Sequence, residues 1–179
     1  MIHPDNNNPD MALVRTLTPL DWDRPDRETT LERVARMGEA VTQSLADEGE
    51  QLTYVIPVAN DEKIGRTAYY LNRALADQGR DTVDVSSREL ANEILQSRTN
   101  SGEHAVKMSL ARICQLAGNL AGWDDSKRLV LVTSEPFMVG ARRIDRSAAG
   151  MPDFRELIQP GEVVGVHSSS FDISKPKST

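Results

Sequence analysis

The densest run of polar side chains in the sequence is the segment 97–104, which reads SRTNSGEH. It precedes a long helical pattern, so it would hold the helix N-terminus, where backbone N–H groups have no partner within the helix. One interpretation is a capping box, in which Asn100 is the N-cap, Glu103 is its N3 partner and Gly102 eases the turn. The other is a ligand cradle made by Thr99, Asn100 and the amides up to Glu103, which would hold a phosphate, carboxylate or hydroxyl group. The two interpretations are compatible, and both stay open.

A second polar turn follows the apolar run 129–133, where Ser134 precedes a helical pattern with proline in its first turn. Arg142 and Arg143 lie further along that helix. Exposed arginines usually solvate the outer face of a helix, and sequence neighbours do not face the same point. The alternative is that one of the two arginines binds an anionic group. Asn60, in the turn after an earlier apolar run, is a third candidate for a ligand contact.

Histidine and cysteine chemistry is poorly supported. His104 is the only histidine near a candidate turn, and its position predicts a neutral residue on the helix surface rather than a general base. Cys114 falls on or near the apolar side of its helix, which favours a small core residue over a nucleophile. His167 precedes three serines, but no spacing connects them to an acid, so a Ser-His-Asp triad is disfavoured.

Several common catalytic motifs are missing from the sequence. It contains neither a G-x-x-x-x-G-K-[ST] phosphate loop nor a G-x-G-x-x-G turn after a strand, and neither G-x-S-x-G nor H-E-x-x-H. Kinase, dinucleotide oxidoreductase, esterase and zinc protease functions are therefore disfavoured, and no metal site is expected.

Two segments resemble the YdcF-like family, the group that includes YdcF, SanA and ElyC. They are 98–105, RTNSGEHA, and 129–138, LVLVTSEPFM, the latter followed by Ala-Arg-Arg at 141–143. The family has a Ser-Thr-Asn-x-Gly-Glu-Asn-Ala-like motif at the start of one helix. It also has a buried strand that ends in a short polar turn before a helix with arginines one to two turns in. The resemblance covers about residues 94–148 and, more weakly, 52–80.

This resemblance implies a Rossmann-like domain that binds a small molecule, with S-adenosylmethionine or an adenine nucleotide as the expected class of ligand. Such a protein would act as a binding protein or as an enzyme on that ligand. The residues that the resemblance places in the ligand cleft are Asn60, Thr99, Asn100, Gly102, Glu103, Ser134 and Arg142 or Arg143.

The sequence departs from the family pattern at three places. His104 stands where the family motif has asparagine, and the family's Ser-Gly-Gly turn reads Val-Ser-Ser at 85–87. The acidic segment that follows this turn in the family is shortened to Arg-Glu-Leu at 88–90. The alternative function is therefore a non-catalytic protein-interaction domain with a degenerate ligand cleft.

The elements that would position these residues alternate between strands and helices. The hydrophobic patterns predict strands at 52–58, 82–85, 129–133 and 162–166, and helices at 30–48, 88–96 and 102–121. A further helix follows the turn at 60–61 and ends at Gly79, and another begins after Ser134 and continues through Ile144. Strands of continuous rather than alternating hydrophobicity indicate a parallel sheet covered on both faces. We expect a three-layer Rossmann-like α/β fold, with a mainly parallel sheet of about four to five strands and helices on both faces. In such folds ligands bind beyond the carboxyl ends of the strands.

Length and composition agree with this fold. A chain of 179 residues suits one domain, here predicted as a partly irregular N-terminal arm at 1–28, an α/β body at 29–167 and a flexible tail at 168–179. The net charge of −6 argues against nucleic acid as a partner. No apolar run is long enough for a membrane span, and the single cysteine fits a reducing compartment. We expect a cytoplasmic protein without membrane association.

Overall fold

The computed structural model describes residues 9–23, 27–45, 52–58, 62–84, 106–113, 115, 127–152 and 157–171. Five strands lie in these segments: β1 Met11–Arg15, β2 Leu52–Pro57, β3 Thr82–Asp84, β4 Lys127–Thr133 and β5 Val163–Val166. The helices are α1 Pro19–Asp23, α2 Arg27–Leu45, α3 Glu62–Asp77 and α4 Glu135–Ala148. Residues 106–113 form a further helical segment, and Ser168–Phe171 form a 3-10 helix.

The strands form one sheet in the order β3-β2-β4-β1-β5. Strands β3, β2, β4 and β1 are parallel to one another, and β5 pairs with β1 in the antiparallel direction. Strand β2 lies inside the sheet and ends at Pro57, as expected for a residue without a backbone N–H to donate. The mainly parallel α/β fold predicted from the sequence is confirmed.

Each face of the sheet carries its own hydrophobic core. Because successive side chains on a strand point to opposite faces, Leu129 and Leu131 contribute to one core while Val130 and Val132 contribute to the other. Helices α2 and α3 cover the second face, and α3 buries Ile64, Ala68, Leu71 and Leu75 against it. Helix α4 and the segment 106–113 cover the first face. The result is a three-layer arrangement.

Strand β1 departs from the sequence expectation, which placed residues 1–28 in a partly irregular arm and predicted no strand there. Met11–Arg15 lies inside the sheet between β4 and β5, and the side chains of Met11, Ala12, Leu13 and Val14 are completely buried. Helix α1 follows directly after it. The strand is set in a stretch rich in Asn, Asp and Pro, and its apolar run is short, so its burial is decided by its neighbours in the sheet rather than by its own pattern.

Two other expectations need correction. The hydrophobic pattern that predicts the helix at 102–121 counts Met108 among its inward residues, but Met108 is 45% exposed, whereas Leu110 and Ile113 are buried. The predicted tail also begins too early, because Ser168–Phe171 is a 3-10 helix and Phe171 is part of the core. The helix predicted at 88–96 lies outside the described residues.

Candidate functional site

The carboxyl ends of the central strands meet at one edge of the sheet, called here the carboxyl edge. In the strand register, Arg15 at the end of β1 is opposite Thr133 at the end of β4, and Pro57 at the end of β2 is opposite Val132. The chain after β1 stays at this edge, because the Thr16 N–H donates a hydrogen bond to the Thr133 carbonyl over 2.9 Å. The carboxyl ends of these three strands therefore lie side by side, and ligands of α/β folds bind beyond such ends.

Arg15 connects β1 to the layer that contains α4. Its guanidinium Nη1 lies 3.2 Å from Oε2 of Glu135, the first residue of α4, and also donates a hydrogen bond to the Ile158 carbonyl. Both side chains of the ion pair are about three-quarters buried. The Arg15 guanidinium therefore has protein partners, and its contacts connect β1 to the start of α4 at the carboxyl edge.

Ser134 occupies the N-cap position of α4, as the sequence predicted. Its side chain is exposed and makes no capping hydrogen bond to the helix. Further along α4, Arg142 is only 6% exposed, whereas Arg143 is exposed, as expected for neighbours on a helix. The structure thus places Ser134 at the carboxyl edge and Arg142 on the inner side of its helix.

The remaining sequence candidates lie outside the described residues. They are Asn60, Thr99, Asn100, Gly102 and Glu103, together with His104 and Cys114. The nearest described residue after the polar segment is Val106, which packs beside α4. A Cβ on Gly140 would lie 3.0 Å from its Cγ2 atom. The predicted meeting of the two polar turns therefore stays a prediction.

The turn after β1 is closed by a carboxylate. The backbone N–H and the hydroxyl of Thr18 donate to Asp21 Oδ2 over 2.8 and 2.7 Å, and Arg33 donates to Asp21 Oδ1 over 2.6 Å. Burial raises the pKa of Asp21, but the hydrogen bonds from Thr18 and the charge of Arg33 outweigh it, so the pKa lies below its usual value. Asp21 is therefore ionised and fixes the start of α1.

Thr67 of α3 holds α1 against α3. Its hydroxyl is buried and lies 3.1 Å from the Thr16 hydroxyl. It also accepts hydrogen bonds from the Leu17 N–H over 3.4 Å and from Trp22 Nε1 over 3.3 Å. This one side chain fixes the position of the Trp22 ring.

Between α1 and the first turns of α3 is a groove of about 250 Å³, called here the charged groove. Its described lining is Pro19, Trp22, Asp23, Glu62, Lys63 and Arg66. It contains two carboxylates and two cations, so its side chains sum to no net charge at neutral pH. Arg66 donates to Glu62 over 2.9 Å, and its guanidinium lies 5.8 Å from the centre of the Trp22 ring.

A wider, shallower space of about 550 Å³ adjoins this groove and is called here the aromatic recess. Its described lining is Trp22, Arg66, Tyr69 and Tyr70, so it shares two residues with the charged groove. The rings of Trp22 and Tyr70 are stacked with their centres 5.1 Å apart. The Tyr69 ring meets Tyr70 edge-on at 5.2 Å. The two spaces together offer charged groups next to aromatic surface.

The opposite edge of the sheet, called here the amino edge, holds a second polar cluster. Asp145 Oδ1 accepts hydrogen bonds from the His167 N–H over 2.9 Å and from the Ser170 hydroxyl over 2.7 Å, and it lies 3.2 Å from His167 Nδ1. Burial raises the pKa of Asp145, but the bonds from His167 and Ser170 outweigh it, so the pKa lies below its usual value.

This cluster brings together a serine, a histidine and an aspartate, but their hydrogen bonds differ from those of a nucleophilic triad. A triad needs the serine hydroxyl to donate to the histidine, whereas the Ser170 hydroxyl donates to Asp145. Asp10 accepts two further hydrogen bonds, from the Ser168 N–H over 2.8 Å and from the Ser168 hydroxyl. Both carboxylates therefore attach the 3-10 helix to the body.

Sequence reasoning missed the residues of the charged groove and the aromatic recess. Trp22 lies in the stretch that was expected to be a partly irregular arm. Arg66, Tyr69, Tyr70 and Arg73 recur at helical spacing on the outer side of α3. That spacing is the one signal in the sequence that pointed to this surface.

Comparison with known proteins adds no relative from which a function follows. No family model matches the chain, and no curated protein is significantly similar to it. Among the helices of the described segments, none has the length and hydropathy needed to cross a membrane.

Proposed function

We propose that this protein binds a small molecule of the nucleotide or S-adenosylmethionine class in the charged groove at the carboxyl edge. The observation that carries the proposal is the geometry of Trp22 and Arg66. Both line the charged groove and the aromatic recess, so one ligand reaching both spaces meets charged and aromatic groups together. The ligand class is the one that the resemblance to the YdcF-like family implies. The proposed binding residues lie on α1 and α3 instead of at the positions that the resemblance implies.

Three features support binding at this place. The groove lies beyond the carboxyl ends of parallel strands, between the helices that follow β1 and β2. Its charged side chains offer partners to polar ligand groups. The hydrogen bond from Trp22 to buried Thr67 holds the ring in place before a ligand arrives, which lowers the entropy cost of binding.

The proposal concerns binding and assigns no catalytic residue. A cytoplasmic location belongs to it as well, because a single cysteine suits a reducing compartment in which nucleotides are abundant.

The test compares two arginines on opposite faces of the sheet. Purified protein and the variants Arg66→Gln and Arg143→Gln are titrated with AMP, ATP, adenosine and S-adenosylmethionine by calorimetry. We expect at least one compound to bind and Arg66→Gln to weaken its affinity about tenfold, as for the loss of one charge-assisted contact. Arg143→Gln removes an exposed charge on α4 and should leave the affinity unchanged.

Two results contradict the proposal. Absence of binding by every compound would favour the protein-interaction alternative. Loss of affinity in Arg143→Gln but not in Arg66→Gln would return the site to α4, where the sequence first placed it. Thermal unfolding of both variants checks that each is folded. We expect Arg66→Gln to be destabilised by less than about 1 kcal/mol, because its ion pair with Glu62 is exposed.

A further inference from the structure

The outer side of α3 carries a continuous ladder of arginines and aromatic rings. Arg66 lies 5.8 Å from the Trp22 ring centre, and Arg73 lies 5.9 Å from the Tyr69 ring centre. Between them, Trp22 contacts Tyr70 and Tyr70 contacts Tyr69, at ring distances of 5.1 and 5.2 Å. The ladder therefore places a cation at each end of a series of three rings, in which Tyr70 contacts both Trp22 and Tyr69.

Tyr69 is the member of this ladder with the most open surface. It is 50% exposed although it lies on a helix that buries its other side in the core. Tyr70 meets it edge-on and the Arg73 guanidinium lies over the ring, so these two neighbours cover part of it and half of the residue stays open. An exposed aromatic ring is a surface on which a planar ligand ring stacks.

The charges next to this ring limit the ligand that fits. In the charged groove, Lys63 and Arg66 are balanced by Asp23 and Glu62. Arg73 adds one positive charge beside Tyr69. A ligand with a small negative charge is therefore favoured, whereas a ligand with several phosphates would be repelled by the two carboxylates.

We infer that the aromatic recess is the ring-binding part of the same site and that its ligand is a nucleoside monophosphate. The base stacks on Tyr69 and the phosphate lies toward Lys63 and Arg66. This inference rests on the proposed function, and it adds the ligand class and Tyr69 as the residue that recognises the base.

The experiment measures separately how much the base and the phosphate contribute to the affinity. Calorimetric titrations use AMP, ribose 5-phosphate, adenosine and ATP with the full chain and with the variants Tyr69→Leu and Tyr69→Phe. We expect AMP to bind about tenfold more tightly than ribose 5-phosphate, because base stacking adds affinity. ATP should bind no more tightly than AMP. Tyr69→Leu should weaken AMP about tenfold and leave ribose 5-phosphate unchanged, whereas Tyr69→Phe keeps the ring and the affinity.

The outcomes distinguish the inference from the function on which it rests. Equal affinities for AMP and ribose 5-phosphate, or a Tyr69→Leu variant that binds AMP normally, would overturn the inference and leave phosphate binding at the groove intact. ATP binding more tightly than AMP would overturn the choice of a monophosphate. If none of the four compounds binds, the proposed function fails together with the inference.

Discussion

The two edges of the sheet use similar polar residues in opposite ways. At the amino edge, Asp145 and Asp10 receive hydrogen bonds from the segment that follows β5, and these groups satisfy one another. At the carboxyl edge, Asp23 and Glu62 line a groove next to two cations and an aromatic ring. Residue type alone would have favoured the amino edge, which holds a serine, a histidine and an aspartate. The difference teaches that residue type does not distinguish polar groups that bond to one another from polar groups that border open space.

The carboxyl edge itself contains both a carboxylate that is bonded within the protein and one that lines the groove. Asp21 is buried and ionised and accepts hydrogen bonds from Thr18 and Arg33, and at the other edge the partly buried Asp145 accepts them from His167 and Ser170. Asp23, two residues later, is exposed and lines the charged groove. Helix α1 therefore carries one carboxylate that is bonded within the protein and one that lines the charged groove.

The largest effect on stability is expected at the amino edge. Asp145→Ala removes the acceptor for the His167 N–H and the Ser170 hydroxyl and leaves these partly buried donors without it. We expect the free energy of unfolding to fall by about 2 to 4 kcal/mol, measured by denaturant unfolding. The affinity of the groove for AMP should stay unchanged in the folded protein. A variant of wild-type stability would show that this cluster does not hold the fold.

A smaller loss of stability, with a loss of binding, is expected at the carboxyl edge. Thr67→Val keeps the shape of the side chain but removes the acceptor for Trp22 Nε1 and the Leu17 N–H. We expect a destabilisation of about 1 to 2 kcal/mol and a weaker affinity for AMP, because the Trp22 ring loses its anchor. Unchanged affinity in this variant would mean that the position of Trp22 does not matter for the ligand.

The smallest expected effect is the pH dependence of the folding stability, which changes little near neutral pH. The pKa of Asp145 is lowered in the folded protein, because the hydrogen bonds from His167 and Ser170 outweigh its burial. The folded state therefore binds this proton less tightly than the unfolded chain, and stability falls as the pH drops below about 4 and through the lowered pKa.

The matched variant for this titration is Asp145→Asn. It should be less stable than the wild type at pH 7, and the two stabilities should converge as the pH falls. Chemical unfolding at a series of pH values measures this. Parallel curves for the two proteins would contradict the assignment of the low pKa to Asp145.

Much of the fold was predictable because the signals were local. The stripe of Ile64, Ala68, Leu71 and Leu75 specified α3, and the apolar run at 129–133 specified most of β4. Strand β1 was missed because Met11–Arg15 is short and obtains its burial from β4 and β5, which lie far along the chain. Local pattern carries no information about such partners.

The candidate site was harder to predict for the same reason. The position of Ser134 followed from a strand, a cap residue and a proline that are adjacent in sequence. The charged groove joins α1 to α3, which are separated along the chain by α2 and β2. The hydrogen bond that fixes it connects Trp22 with Thr67, 45 residues apart. Only the folded chain brings these residues together.

The most direct measurement of the central claim uses Trp22 as a reporter, because it lines both the charged groove and the aromatic recess. The second tryptophan, Trp123, lies outside the described residues and is replaced in a Trp123→Phe variant. Titration of this variant with AMP should change the Trp22 fluorescence saturably, with the affinity found by calorimetry for the wild type. AMP binding that calorimetry detects in this variant without any change in Trp22 fluorescence would contradict the account, as would the absence of binding.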